Sequence, residues 1–574
     1  MFFRQNLTRR DALLVMVGAS CVYLFLAAAS YGLQTTPTLT VEGPLTQISL
    51  ERERKIVTML STLTVTATTT ETTTHLASPT PTLQSTLIDL GLEPDIPETS
   101  IVAHAPGWTL FRNLYMSNGT LFLLTSDSSL ADFPEIRMMT STGLEAQNTP
   151  ENIAAREPTK ENMDFISPAD ARARWGGDYT KGERNRVWTV EGNTLLFNDP
   201  PQFLNHYYHF VAELLLGTWA FIYGAFHPAT GLMSSSSSPP SISAAFNQPS
   251  FNVQDNATYQ PPPFTRAIFI HSDTHGWRDS PGFNAYFLRA VFPALTVEVQ
   301  RDWEDRVMAT VPDKSGDRST LTADRAWHFP IALLTDRSAA HRGVVCGSQT
   351  QRTAAEAWHY MVDNGGVDRV GAWWGNIREA IWRFASATPI AQAPLKHASD
   401  GKFMDLQLAD PGETVITYIS RQSSRRRLIQ EDHEGLVTAL EELVNRKRQE
   451  GKHWELNIVQ AERMTKDEQV RVMSKSTILL GVHGNGLTHL VLMQPTRVSA
   501  VVEIFFPGGF AHDYEWTSRA LGMRHFSVWN DTYFTHPNEP RVDYPEGFQG
   551  ISIPVYGPAV AKLVEDQLEH KLPS

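Results

Sequence analysis

The stretch TILLGVHGNGLTHLVLMQPTRVSAVVEIFFPG, Thr477 to Gly508, limits what this chain can fold into more than any other. An apolar run at 477–482 reads as a buried strand. It breaks at His483-Gly484-Asn485-Gly486. An apolar segment at 487–493 has the length of a short helix, and a second run at 498–502 leads into Glu503 and stops by Pro507. Strand, glycine turn, helix, strand make one βαβ unit. Its turn lies at a strand's C-terminal end, where open α/β sheets bind ligands. The two glycines let a backbone approach a phosphate, and the helix N-terminus behind them favours an anion. His483 offers a hydrogen-bonding or proton-transfer group; its plainer reading is a core histidine bonded to a carbonyl. Glu503 would be costly to bury without a partner, and a ribose hydroxyl is one such partner. The pattern points to a nucleotide-type ligand.

The same alternation surrounds this unit. TVITYI at 414–419 is strand-like. QEDHEGLVTALEELVNRKRQ at 430–449 has helical period, with acids first and bases last as the helix dipole prefers. A strand is expected at 454–459. A helix is expected from 464 to 475, with Thr465 and Glu468 in capping-box spacing. Short links between such elements indicate a parallel, doubly wound sheet. Ser420-Arg421 ends the TVITYI strand, followed by Arg425, Arg426 and Arg427. The arginine fork suits phosphate oxygens, and Arg421 is the one the strand fixes in place. His512 and Asp513, after the loop at 507–509, are placed to line the same pocket.

In the first half, HYYHFVAE at 206–213 puts His209 and Glu213 four residues apart, on one face of a helix expected at 207–219. Such a pair can act as base and orienter, or simply stabilise a helix. Strands at 267–271 and 331–335 and helix at 352–385 complete an α/β reading. The segment 233–263 is a low-complexity surface insertion, and 386–410 reads as a linker. No Asp-x-Asp, zinc-spaced histidine pair, phosphate-loop lysine motif or dinucleotide Gly-x-Gly-x-x-Gly occurs where it would count, so the expectation is that no metal is bound.

A net charge of −13 argues against a nucleic-acid partner, which would want a basic face. Two cysteines, Cys21 and Cys346, are too few for a disulfide scaffold or a cysteine-zinc site. Residues 1–11 carry Arg4, Arg9 and Arg10. The uncharged run at 12–33 behind them is long enough to cross a bilayer as a signal anchor, with the N-terminus cytoplasmic. A cleaved signal peptide is the competing reading. Residues 34–99, rich in Thr, Ser and Pro, read as an extended stalk. Anchor, stalk and soluble body describe a single-pass type II membrane protein of the Golgi or endoplasmic reticulum. Asn118, Asn256 and Asn530 begin N-x-Thr sequons that would face the lumen.

GVHGNGLTHLVLMQP followed by VVEIFFPGG, ITYISRQSSRRRLIQEDH, and NHYYHFVAELL resemble, in this order from the C-terminus, three segments of glycosyltransferase family 61, fungal members especially. At Asn485 and His489 the family often has alanine and asparagine. The resemblance implies a GT-B-type α/β architecture: two Rossmann-like doubly wound domains facing a cleft. An acceptor-side domain would cover 100–390 and a nucleotide-sugar-binding domain 400–574. It implies an inverting, metal-independent transferase that uses a UDP-sugar, with xylose, arabinose or N-acetylglucosamine as the sugars the family transfers, and a protein or glycan acceptor. Carried onto this chain, Ser420, Arg421, Arg425, His483, Gly484, Asn485, Gly486 and Glu503 would hold the donor. His209 or Glu213 would serve as base. The rival reading is an inactive nucleotide- or glycan-binding protein of the same fold.

Overall fold

Two β-sheets organise the chain. The structure, a computed structural model, describes residues 90–91, 95–227, 263–311, 324–343, 351–364, 371–392 and 408–572. All belong to one unit, Gln84–Ser574. The expected anchor at 12–33, most of the stalk, residues 233–262 of the insertion, both cysteines and Asn256 lie outside the described residues. Among those described, no helix is long and apolar enough to cross a membrane.

The first sheet contains β1 (Ser100–Ala105), β2 (Trp108–Ser117), β3 (Thr120–Leu124), β4 (Met163–Ile166), β5 (Val187–Thr189), β6 (Asn193–Phe197), β7 (Phe264–Phe269), β8 (Thr296–Glu298) and β9 (Ala326–Thr335). The order is β4-β3-β2-β9-β6-β7-β8, with β1 added to β2 and β5 to β9. The run β9-β6-β7-β8 is parallel, but β2 is antiparallel to β1, β3 and β9. The sheet is therefore mixed and not wholly doubly wound as expected. A short turn accounts for part of this: Asn118 and Gly119, with φ of 52° and 85°, form a hairpin turn that makes β3 antiparallel to β2, and β2 also pairs antiparallel with the distant β9.

The second sheet holds β10 (Thr414–Ile419), β11 (Trp454–Val459), β12 (Ile478–Val482), β13 (Ala500–Ile504), β14 (Arg524–Trp529) and β15 (Thr532–Phe534), in the order β11-β10-β12-β13-β14-β15. All pairs are parallel except β14 with β15. Side chains alternate between two buried faces. Ile416, Tyr418, Ile478 and Leu480 pack with Leu436, Leu440 and Leu443 of the Gln430–Gln449 helix. Ile419, Leu479 and Val501 face the opposite core. Burial on both faces explains the near-continuous apolar strands. The helix Lys466–Lys475 starts with the expected capping box, Thr465 N–H donating to Glu468 at 2.8 Å.

The opposite core is shared by both halves. It joins Trp108, Phe210 and Phe221 to Leu479, Leu487 and Val491. The Gly375–Phe384 helix and its preceding turn clamp the βαβ unit: Trp374, Trp382 and Arg378 donate to the carbonyls of Val491, Leu492 and Met493 at 3.0 Å each. Two expected boundaries move as a result. Ile390 is buried and donates its N–H to Ser474 O, so the linker's first residues belong to the body. The stalk likewise ends before 99. Leu90 is buried against Tyr115 and Trp175, and Pro97 O accepts from Tyr115. Asn118 and Asn530 are exposed at the β2–β3 and β14–β15 turns.

Candidate functional site

Chain order in the second sheet reverses at β10, whose neighbours β11 and β12 lie on opposite sides. A crevice opens at the C-terminal ends of strands at such a switch point. The loop after β10 and the turn after β12 meet there. Arg421 and Arg426 both donate through Nη1 to His483 O, at 3.0 and 3.2 Å. Gly484 has φ +147°, and a Cβ on it would lie 1.7 Å from Arg421 Nη1. The turn thus needs glycine for both conformation and space. The other turn glycine, Gly486, packs its backbone against Ile419, where a Cβ would be 3.3 Å from Cγ2. Both arginines are half-buried, and among the described residues neither has a carboxylate within ion-pair distance. Burial lowers the pKa of both guanidiniums, and Arg426 adds its repulsion to Arg421. Two converging cations with no carboxylate in ion-pair contact make a place for an anion.

Three donor expectations need correction. Arg425 is exposed and bonds to none of the described residues; the loop's twist turns Arg426 inward instead. Ser420 is buried in the sheet, its N–H donating to Val459 O at 2.9 Å. Glu503 is fully enclosed between two imidazoles, His483 Nδ1 on Oε1 and His525 Nε2 on Oε2 at 2.8 Å, so no oxygen is turned to a ribose. Burial, and after it Asp513, pushes Glu503 well above the usual carboxylate range. Burial, then Arg426, Arg421 and His525, pushes His483 well below its ordinary value, so this imidazole is neutral. Its ring stacks on Phe505 at 5.1 Å.

On the other side of the junction, residues Tyr208–Leu215 form a π-helix that continues as the α-helix Leu216–Ala225. Such wide turns are frequent at functional sites. The expected pair is formed: His209 Nδ1 lies 2.8 Å from Glu213 Oε2. Glu213 is fully buried and also takes Arg337 Nη1. Arg337 in turn donates from its backbone N–H to Asp199 Oδ1 at 2.8 Å and from Nε to Oδ2 at 3.3 Å. Burial opposes ionisation of Glu213, but Arg337 and His209 outweigh it and hold the carboxyl at about 2. A carboxyl held this low is a poor proton acceptor near neutral pH. His209 is part-exposed, and its Nε2 has no partner among the described residues. His206 stands beside it with ring centroids 4.8 Å apart. Crowding by protein atoms, then the charges of His209 and Arg426, lower the pKa of His206. His206 thus feels the charge of Arg426 across the junction.

Asn485 and His489 hold these two parts together. Tyr208 N–H donates to Asn485 Oδ1 at 3.2 Å, and Tyr207 Oη lies 3.1 Å from His489 Nδ1. Tyr208 Oη donates to Asp513 O at 2.8 Å. Asn485 is consequently a brace between elements, its Oδ1 also accepting from Thr488 Oγ1 at 3.3 Å. His512 turns to Glu515 at 3.1 Å. Glu515, His536 and Glu539 have ligand atoms within 4.8 Å of one another, and Glu515 also accepts from Arg519 at 2.9 Å.

Sequence reasoning weighed Arg426 but put Arg425 in the donor set, and it missed Arg337, Asp199 and His525. Arg337 and Asp199 were within reach of the rule that flagged Arg421, since each follows the C-terminal end of a parallel strand, β9 and β6. His525 carried no such signal. The family model for Glycosyltransferase 61 matches residues 207–501, just over half of the chain, from the π-helix through the HGNG turn to β13. No curated protein matches the chain. The matched span contains His209, Glu213, Arg337, Arg421, Arg426 and the HGNG turn, and with them the chain belongs to the glycosyltransferase 61 family.

Proposed function

We propose that this glycosyltransferase moves N-acetylglucosamine or xylose from a UDP-sugar to a hydroxyl of a protein or glycan, with inversion and without a metal. The observation that carries the reading is the pair Arg421 and Arg426, both on His483 O, with no acidic partner among the described residues. In a single displacement, His209 Nε2 takes the acceptor hydroxyl's proton and the acceptor oxygen bonds to the anomeric carbon. The bond from that carbon to the β-phosphate oxygen breaks, and its electron pair leaves with UDP. Glu213, kept ionised by Arg337, stabilises the imidazolium formed on His209. The arginine pair and the glycine turn stabilise charge on the leaving diphosphate, a term usually large in such catalysis. The body would work in the Golgi or endoplasmic reticulum lumen behind an anchor at 12–33, with Asn118 and Asn530 accessible to glycan addition.

Calorimetric titration with UDP tests the donor half. Replacing Arg421 or Arg426 by Ala should weaken binding about 10- to 100-fold each, the worth of one charge-assisted hydrogen bond. Product analysis with UDP-N-acetylglucosamine and UDP-xylose, with and without chelator, tests the rest. UDP binding with neither transfer nor hydrolysis would favour the inactive binding protein. A glycosidase-sensitive mass shift checks the lumenal assignment.

A further inference from the structure

His483 is held from two sides. Its carbonyl takes Arg421 and Arg426, and its Nδ1 faces Glu503 Oε1. Its Nε2 makes no hydrogen bond among the described residues and is not among the buried unpartnered atoms, so it reaches the open side of the turn. Behind Glu503 stands His525. Its Nε2 is on Glu503 Oε2, while its Nδ1 is buried with no partner.

Counting protons along this chain gives its direction. If His525 carried its proton on Nδ1, a buried N–H would be orphaned, which folded proteins rarely tolerate; a bare acceptor nitrogen is the lesser cost. The proton therefore sits on Nε2, and Oε2 of Glu503 is an acceptor. Oε1 is then either a second acceptor, which leaves a carboxylate sealed in the core, or an O–H donor. The groups facing Glu503 are Asp513 and Glu515 from the Asp513–Ala520 helix, Arg426 from the loop after β10, His483 and His525. Facing His483 are Arg421, Arg426 and Tyr514. Two acids stand against one arginine around the carboxyl, and it has no solvent exposure.

We propose that Glu503 is a hydrogen-bond donor to His483 Nδ1, which leaves His483 with its proton on Nε2, aimed as a neutral donor at the diphosphate, and that His525 is the positioning residue that fixes this tautomer. The inference rests on the nucleotide-sugar reading above and adds how the site is switched: it binds a diphosphate with His483 as donor, and loses that donor when Glu503 ionises. Burial that raises Glu503 and lowers His483 acts in the same sense.

The test uses the full chain, wild type against Glu503→Gln and Glu503→Ala, with UDP binding followed by calorimetry as pH rises. A glutamine amide keeps the donor to His483 Nδ1 and the acceptor for His525. Glu503→Gln should therefore bind UDP within about threefold of wild type, with no weakening at high pH. Glu503→Ala should lose on the order of tenfold. If Glu503→Gln loses as much as Glu503→Ala, Glu503 is an ionised acceptor and the proposal fails. Nitrogen-15 NMR of the labelled ring reads the tautomer without ligand: Nε2 should be the protonated nitrogen in wild type and in Glu503→Gln, and a proton on Nδ1 overturns the proposal. A wild type that binds no UDP while showing the expected tautomer would sink the nucleotide reading and leave the proton assignment standing.

Discussion

The backbone N–H of Tyr208 donates to the side-chain oxygen of Asn485 at 3.2 Å, tying the first turn of the π-helix to the glycine turn 277 residues later. The bond sets the distance between His209, one residue on, and His483, two residues back. Geometry held to within about an ångström decides whether a base and a leaving group can act together. Asn485→Ala should cost about 1 kcal/mol of stability, the worth of one hydrogen bond, and should lower kcat more than it weakens UDP binding. Urea unfolding and steady-state kinetics check this. An unchanged midpoint with unchanged kcat would show the bond to be idle.

Gly484→Ala should weaken donor binding strongly while the protein still folds. The new Cβ would fall 1.7 Å from Arg421 Nη1, so either the guanidinium leaves His483 O or the turn opens. Both outcomes remove one arm of the anion site. A loss of about 100-fold in UDP affinity is expected, one charge-assisted bond together with the displaced turn. Affinity within threefold of wild type, by calorimetry, would sink the assignment.

Parts of this arrangement are legible in the sequence, and the rest fails for physical reasons. The βαβ unit, Arg421 and the His209–Glu213 pair could be read because local periodicity and strand ends encode them. Choosing Arg426 over Arg425 depends on the twist of a loop that no pattern records. Glu503's partners depend on which strands are neighbours: His525 comes from β14, and its bond crosses the sheet. The mixed first sheet turns on the pairing of β2 with β9, strands more than 200 residues apart. The stalk's end depends on tertiary partners that no local pattern records: Leu90 packs against Tyr115 and Trp175, and Pro97 O accepts from Tyr115.

Arg337 is the cation of a buried network, with Glu213 and Asp199 as its carboxylates. Removing one partner from such a group leaves charges uncompensated in a low dielectric. Arg337→Met should destabilise by about 3–5 kcal/mol, measured by urea unfolding. His209 would lose its fixed carboxylate as well, so kcat should fall even where the variant remains folded. A change below about 1 kcal/mol, inside the range of an exposed pair, would show that the network is not the buried cluster described.

Acid should unfold the protein before its carboxylates titrate. His328, His489 and His525 are buried, and desolvation lowers each from 6.5 to about 4. Between those values the unfolded chain binds more protons than the folded one, so stability rises with pH and is lost as pH falls from 6.5 towards 4. Each histidine contributes a slope of up to about 1.4 kcal/mol per pH unit. Glu503, Asp199 and Asp336, all shifted upward by burial, act in the opposite sense above their unfolded values, while His104, His206 and His483, all lowered, add to the loss. Glu213 and Glu515, both held at about 2, add to the loss below 4.5. The unfolding midpoint in urea should therefore fall from pH 6.5 to 5 and more steeply beneath it. Replacing His489 with Gln, which can still face Tyr207 and Gln469, should flatten the upper part of that curve. A stability profile level between pH 5 and 6.5 would mean that these histidines are protonated in the folded protein.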